Sequence, residues 1–144
     1  MVPMESRERL AALGQELARV HAWLRGEIAA LIAGDVTSDR PFEVRCIAFC
    51  EALTSHHRAE DATAFPAIAA QFPDLAPLLA QMQQDHEMIA TIIQRVDALA
   101  GEPGARAELE GLASVMDSHF AWEERRIVEA LDALEGDPLA MFGV

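Results

Sequence analysis

Lysine, asparagine and tyrosine are absent from this chain of 144 residues, so all 11 of its basic side chains are arginines. That bias suggests a GC-rich genome more than a function. Positive charge is also outnumbered: 24 acidic residues leave a formal net charge of −13. Such a surface repels phosphate backbones and anionic lipid, which argues against nucleic acid or membrane as a partner. No apolar run approaches the roughly 20 residues that span a bilayer. The N-terminal MVPMESRERL lacks the apolar core of a secretory signal, so a cytoplasmic location is expected. Cysteine is scarce as well. Cys46 and Cys50 stand one helical turn apart, where a disulfide would be strained, and are expected as reduced core residues. Strand signals, low-complexity tracts and strong internal repeats are missing.

What the chain does have is apolar residues, 51% of the total, enough for one self-sufficient domain over residues 1–144. Leu10, Leu13, Leu17, Leu24, Ile28 and Leu31 predict a first helix over about 5–33, ended by Gly34 and the turn-rich GDVTSDRP. Pro41 suits the first turn of a second helix that runs to about Ala64. A proline-punctuated connector is expected from Phe65 to Pro77. Leu75, Leu78, Leu79, Met82, Ile89, Ile93 and Val96 share one face of a third helix, about 75–100, broken by GEPG. Leu109, Leu112, Met116, Phe120, Ile127, Leu131 and Leu134 do the same for a fourth, about 105–135. The tail residues Leu139, Met141 and Phe142 are expected to cover the chain's own core. Four amphipathic helices with mostly short connections predict an all-α, up-down-up-down four-helix bundle.

Chemistry concentrates on the second helix, in CIAFCEALTSHHRAED. Its apolar stripe of Phe42, Cys46, Phe49 and Leu53 runs straight into His56, His57, Glu60 and Asp61. At about 100° per residue, Glu60 lies within roughly 20° of the stripe's centre, and His56 and His57 flank it by about 50°. A carboxylate buried there is costly without a cation, and a metal ion would supply one. All five histidines, His21, His56, His57, His86 and His119, fall near the apolar centres of their helices. His56 and His119 are each followed four residues later by a glutamate, Glu60 and Glu123, a spacing that lets imidazole and carboxylate reach one ion. Glu124 is turned about 80° from the fourth stripe's centre and is expected in solvent, near Arg125 and Arg126. Four imidazoles and two carboxylates exceed the needs of one tetrahedral zinc. They suit two borderline transition-metal ions bridged by carboxylates. Ferritin-like bundles use Glu-x-x-His, the reverse order and another spacing, and rank second.

The pattern His21, His56-x-x-x-Glu60, His86, His119-x-x-x-Glu123, carried by HHRAEDATAFP, QQDHEMI and SHFAWEERRIV, resembles the hemerythrin family, in its HHE cation-binding branch. The resemblance covers nearly the whole chain. It implies two iron ions, oxo- or hydroxo-bridged, with His21 and His56 on one, His86 and His119 on the other, and Glu60 and Glu123 bridging both. It also implies oxygen or hydrogen peroxide as the small-molecule ligand. The chain departs from the oxygen carriers in two places. Met82 stands where they have a second third-helix histidine, and their fourth-helix carboxylate lies one residue beyond Glu123. Met82 is therefore read as wall, and reaction with oxygen or peroxide, in a catalase-like or scavenging role, as the leading function. The alternative is an iron- or oxygen-sensing module without turnover. His57 and Asp61 are left between replacement ligands and hydrogen-bonding support.

Overall fold

The structure, a computed structural model, describes residues 13–34 and 40–144. Leu10 and most of the loop expected after Gly34 lie outside the described residues. Among the described residues six α-helices follow in order: α1 Leu13–Ala33, α2 Phe42–Ala59, α3 Phe65–Gln71, α4 Ala76–Ala98, α5 Ala105–Asp132 and α6 Pro138–Phe142. No strand occurs among the described residues. Two short helices, α3 and α6, thus join the four long ones that the stripes predict. Pro41 sits just before α2 rather than inside its first turn.

The stretch expected as a connector is helical. Between α2 and α3, Glu60–Ala64 forms a π turn with the backbone still right-handed on both sides, and the Phe65 amide reaches back to the Glu60 carbonyl. Pro66 explains the wide turn. It has no N–H for the carbonyl four residues back, so the regular ladder cannot pass through it. A 3₁₀ turn, Pro73–Leu75, then leads into α4.

The long helices pack in a ring, α1 on α2, α2 on α4, α4 on α5 and α5 on α1. Cross-helix contacts give their sense. Gly14 meets Asp132, His21 meets Glu123 and Arg25 meets Asp117, so α1 and α5 run antiparallel. His86 meets His119 and Arg95 meets Glu108, so α4 and α5 do too. Gly14 permits the first crossing. Its amide donates to Asp132 at 2.9 Å, and a Cβ there would fall 2.6 Å from Val128 Cγ1.

Every described stripe residue named above for α1 and α5 is buried. On α4, Leu79, Met82, Ile89, Ile93 and Val96 are buried, whereas Leu78, and Leu75 in the turn before it, are only partly covered. Each fully buried leucine contributes ~1.5–3 kcal/mol, so these stripes hold the bundle closed around whatever polar groups lie among them. Cys46 and Cys50 are free thiols in this core. On α6, Met141 and Phe142 are buried while Leu139 is 63% exposed, so two of the three apolar tail residues cover the core. No helix among the described residues is long and apolar enough to cross a membrane.

Candidate metal centre

Among the described residues seven polar side chains are buried within this apolar frame: His21, His56, His57, Glu60, His86, His119 and Glu123. They converge from all four long helices, with Glu60 opening the π turn. The imidazoles meet in two pairs. Nε2 of His21 lies 3.2 Å from Nε2 of His56, and Nε2 of His86 lies 3.1 Å from Nε2 of His119. The rings of each pair stand nearly perpendicular, at 88° and 71°. Two nitrogens bound at right angles to one ion, each at about 2.1 Å, would be about 3.0 Å apart. Both pairs fit that requirement.

The carboxylates lie between the pairs. Glu60 Oε1 is 3.3 Å from His56 Nε2 and 3.5 Å from His86 Nε2. Glu123 directs Oε1 to His21 Nε2 at 3.5 Å and Oε2 to His119 Nε2 at 2.9 Å. Each therefore spans both pairs. None of their four oxygens has a properly directed hydrogen bond, although both residues are fully buried. Glu123 and His119 are close but misaligned for one. Four orphaned carboxylate oxygens at the bottom of a core are expensive unless a cation joins them.

The outer ring nitrogens explain why the inner ones point inward. His56 Nδ1 donates to the Phe142 carbonyl at 2.8 Å. A carbonyl only accepts, so the neutral ring carries its proton on Nδ1 and leaves Nε2 bare toward His21. His86 Nδ1 meets Asp61 Oδ1 at 2.8 Å, and His119 Nδ1 meets Asp85 Oδ2 at 3.1 Å. His21 Nδ1 lies 3.6 Å from Glu124 Oε2, too far for a hydrogen bond but close enough for attraction. Such partners orient metal-binding imidazoles and raise their basicity. Asp61 thus supports His86. Glu124 corrects the sequence expectation: its side chain is 23% exposed and held by Arg25, and it faces His21 rather than open solvent beside Arg125 and Arg126. Asp85 and the Phe142 carbonyl are missed by the sequence reading. Asp85 precedes His86 in QQDHEMI and could have been weighed; a main-chain carbonyl of the tail leaves no signal.

Protons balance the site when no cation does. Burial and the neighbouring Glu123 charge push the Glu60 carboxyl well above its usual range. Burial opposes the charge on Glu123 as well, but contacts with Glu60, His119, His21 and His86 outweigh it and hold Glu123 well below that range. Burial likewise works against protonated His21 and His86. Glu123 and Glu124 overcome it for His21, as do Asp61 and Glu123 for His86, and both are raised. His56, buried and beside His21, is lowered to about 3.

His57 is near one pair by distance but poorly oriented toward it. A ring nitrogen of His57 comes within 4.8 Å of ligand atoms of His86 and His119, so distance alone would admit it as a third ligand. Its ring, however, stacks on His86 with centroids 3.9 Å apart and planes 10° from parallel. An ion in the plane of the His86 ring would lie under the face of His57, not on its lone pair. Its buried Nε2 has no partner, and burial followed by the His86 charge holds the ring neutral. Met82 is fully buried in the core. On the α2/α4 side a cavity of about 190 Å³, lined by Thr54, His57, Arg58, Asp61 and His86 among others, touches His86. On the far side His21 and His56 are wholly enclosed, His21 stacked on Phe120 with centroids 3.8 Å apart.

Comparison with curated proteins and with solved structures gives no match. A family comparison does: residues 12–131 match the hemerythrin HHE cation binding domain, and the span takes in all six interior ligand candidates. With that match over most of its length, the chain belongs to the hemerythrin HHE cation-binding family.

Proposed function

We propose that this chain is a non-haem di-iron protein that reacts with oxygen or hydrogen peroxide. His21 and His56 would hold one ion, His86 and His119 the other, with Glu60 and Glu123 across both. The observation that carries the reading is the pair of Nε2–Nε2 contacts spanned by two fully buried carboxylates whose oxygens lack hydrogen bonds. Bound there, two irons would supply one-electron redox chemistry and positions open to a small ligand. The residues do the rest. Asp61, Asp85, Glu124 and the Phe142 carbonyl aim the imidazoles, and the apolar stripes exclude bulk water. The α2/α4 cavity beside His57 and His86 gives a small oxidant its approach, whereas the His21 side is closed. The antiparallel crossings support an up-down-up-down four-helix bundle as the scaffold of one domain, and a cytoplasmic location belongs to the proposal without support from them.

The test is metal content with an optical spectrum of protein purified from its own host. About two irons per chain with near-ultraviolet oxo-bridge bands, and consumption of peroxide without a long-lived oxygen adduct, are expected. One zinc per chain, or a stable reversible oxygen complex, would overturn the reading. A second reading, iron or oxygen sensing without turnover, is favoured by one observation: the Phe142 carbonyl ties a ligand to the C-terminal segment. Iron with no peroxide consumption would select it.

A further inference from the structure

The supports behind the four inner imidazoles are not equivalent. Three are carboxylates carried by long helices or the π turn: Asp61 for His86, Asp85 for His119 and Glu124 for His21. They follow the ring of helices, from the π turn after α2 to α4, from α4 to α5 and from α5 to α1. The remaining step, from α1 to α2, is not made by α1. Its place is taken by the Phe142 carbonyl, a neutral acceptor in a short segment outside the long helices.

That segment is seated by a few specific contacts. Phe142 is fully buried and Met141 nearly so. Ser55 Oγ donates to the Gly143 carbonyl at 3.1 Å at an exposed position. Gly143 ends α6 with φ of 76°, and a Cβ there would lie 2.5 Å from the Ser55 main-chain oxygen. Only glycine permits both that backbone conformation and that approach. The seat is therefore narrow, and what it holds in register is one hydrogen bond to His56.

We infer that residues 138–143 are a positioning element for the His21/His56 half of the centre alone, through the Phe142 carbonyl on His56 Nδ1. With the segment seated, His56 is fixed in one tautomer with Nε2 inward. With it displaced, the ring is free to turn and that half loses its ion, while His86 and His119 keep their carboxylate supports and theirs. The inference rests on the di-iron reading for its metal readout, but the state of the His56 ring can be observed without metal.

The experiment uses the full chain and three variants. Gly143→Val displaces the segment. Ser55→Ala removes only its exposed tether. Phe142→Leu keeps the carbonyl and most of the apolar cover, and controls for packing. Nitrogen-15 NMR of metal-free protein reads the His56 tautomer; iron per chain after anaerobic loading with ferrous ion reads occupancy. Phe142→Leu is expected to melt lower yet keep the Nδ1–H tautomer and about two irons. Gly143→Val is expected to show mixed His56 tautomers and to fall to about one iron, with the signal of an isolated ferric ion after oxidation. Ser55→Ala should shift both readouts in the same direction by less, and it carries the test if Gly143→Val does not fold. A locked tautomer in both Gly143→Val and Ser55→Ala overturns the inference. So does iron loss that tracks the drop in melting temperature across all three variants, or loss from both halves together. If unmodified protein takes up no iron but the tautomer still responds to the segment, the di-iron reading fails and the positioning role stands.

Discussion

Replacing Glu124 with alanine is the sharpest test of the supports around the centre, because helical phase alone assigns this residue to solvent. Its Oε2 lies 3.6 Å from His21 Nδ1 and 3.3 Å from an Arg25 nitrogen. With iron bound the His21 ring is neutral, so Glu124 supplies attraction for its outward N–H rather than a full ion pair. Partial exposure and the competing Arg25 reduce it. Loss of a hydrogen-bonded partner behind a metal-bound histidine typically costs about 10–100-fold in affinity, or ~1.4–2.8 kcal/mol; at 3.6 Å the contact falls short of such a bond, so the lower end, about tenfold, is expected. Glu123→Ala, which removes a group spanning both pairs, should cost far more and leave the site below full occupancy. Glu124→Gln keeps an acceptor oxygen but not the charge, and should fall between wild type and alanine. The assay is competition for ferrous ion against a chelator of known affinity under anaerobic conditions, with melting curves of the metal-free proteins as controls. An alanine variant within about twofold of wild type would refute the reasoning, since the His21 contact would then be screened out by solvent.

Three other outcomes follow from the same geometry. His57→Phe preserves the stack on His86 and removes a buried nitrogen without a partner, so iron content should not change; loss of one ion would make His57 a ligand after all. Metal uptake must expel protons from Glu60, His21 and His86, all raised in the metal-free protein, so apparent affinity should climb as pH rises through and above the ordinary imidazole range, and a flat profile would contradict the proton balance. In the metal-free protein the folded value for His56, about 3, lies below its ordinary value of 6.5. Its contribution to stability is therefore complete above pH 6.5 and is lost as pH falls toward 3. Replacing His56 with glutamine should flatten that acid limb of the melting temperature.

The parts of this protein legible in its sequence are those set by helical period. Stripe phase places His21, His56, His86 and His119 inward, and the four-residue step brings Glu60 and Glu123 beside them. Legibility stops where a regular period stops. Pro66 marked a connector, yet the helix accommodates it through a wide turn instead of ending. Glu124 was placed by its angle on α5, but its surroundings depend on α1, which supplies both His21 and Arg25. The hold on His56 is a main-chain carbonyl, a group every residue possesses, so no pattern of side chains could announce it.

The wide turn at Glu60–Ala64 has a consequence for how this chain tolerates insertion and deletion. A π turn contains one residue more than the α-helical turn it replaces, and one residue is worth about 100° of rotation. Downstream of it Phe65 stacks toward His86 with centroids 5.6 Å apart, and Ile68 is fully buried. Removing one residue from the turn would let the helix close into ordinary register. The turn absorbs that rotation, so Phe65 and Ile68 hold the phase that an uninterrupted helix one residue shorter would give them, and they would stay on the core with His56 and Glu60 where they are. What resists the closure is Pro66, which offers no N–H to the carbonyl four residues back and whose ring would press on it. Loss of one residue from the turn is therefore tolerated only if the proline is lost with it.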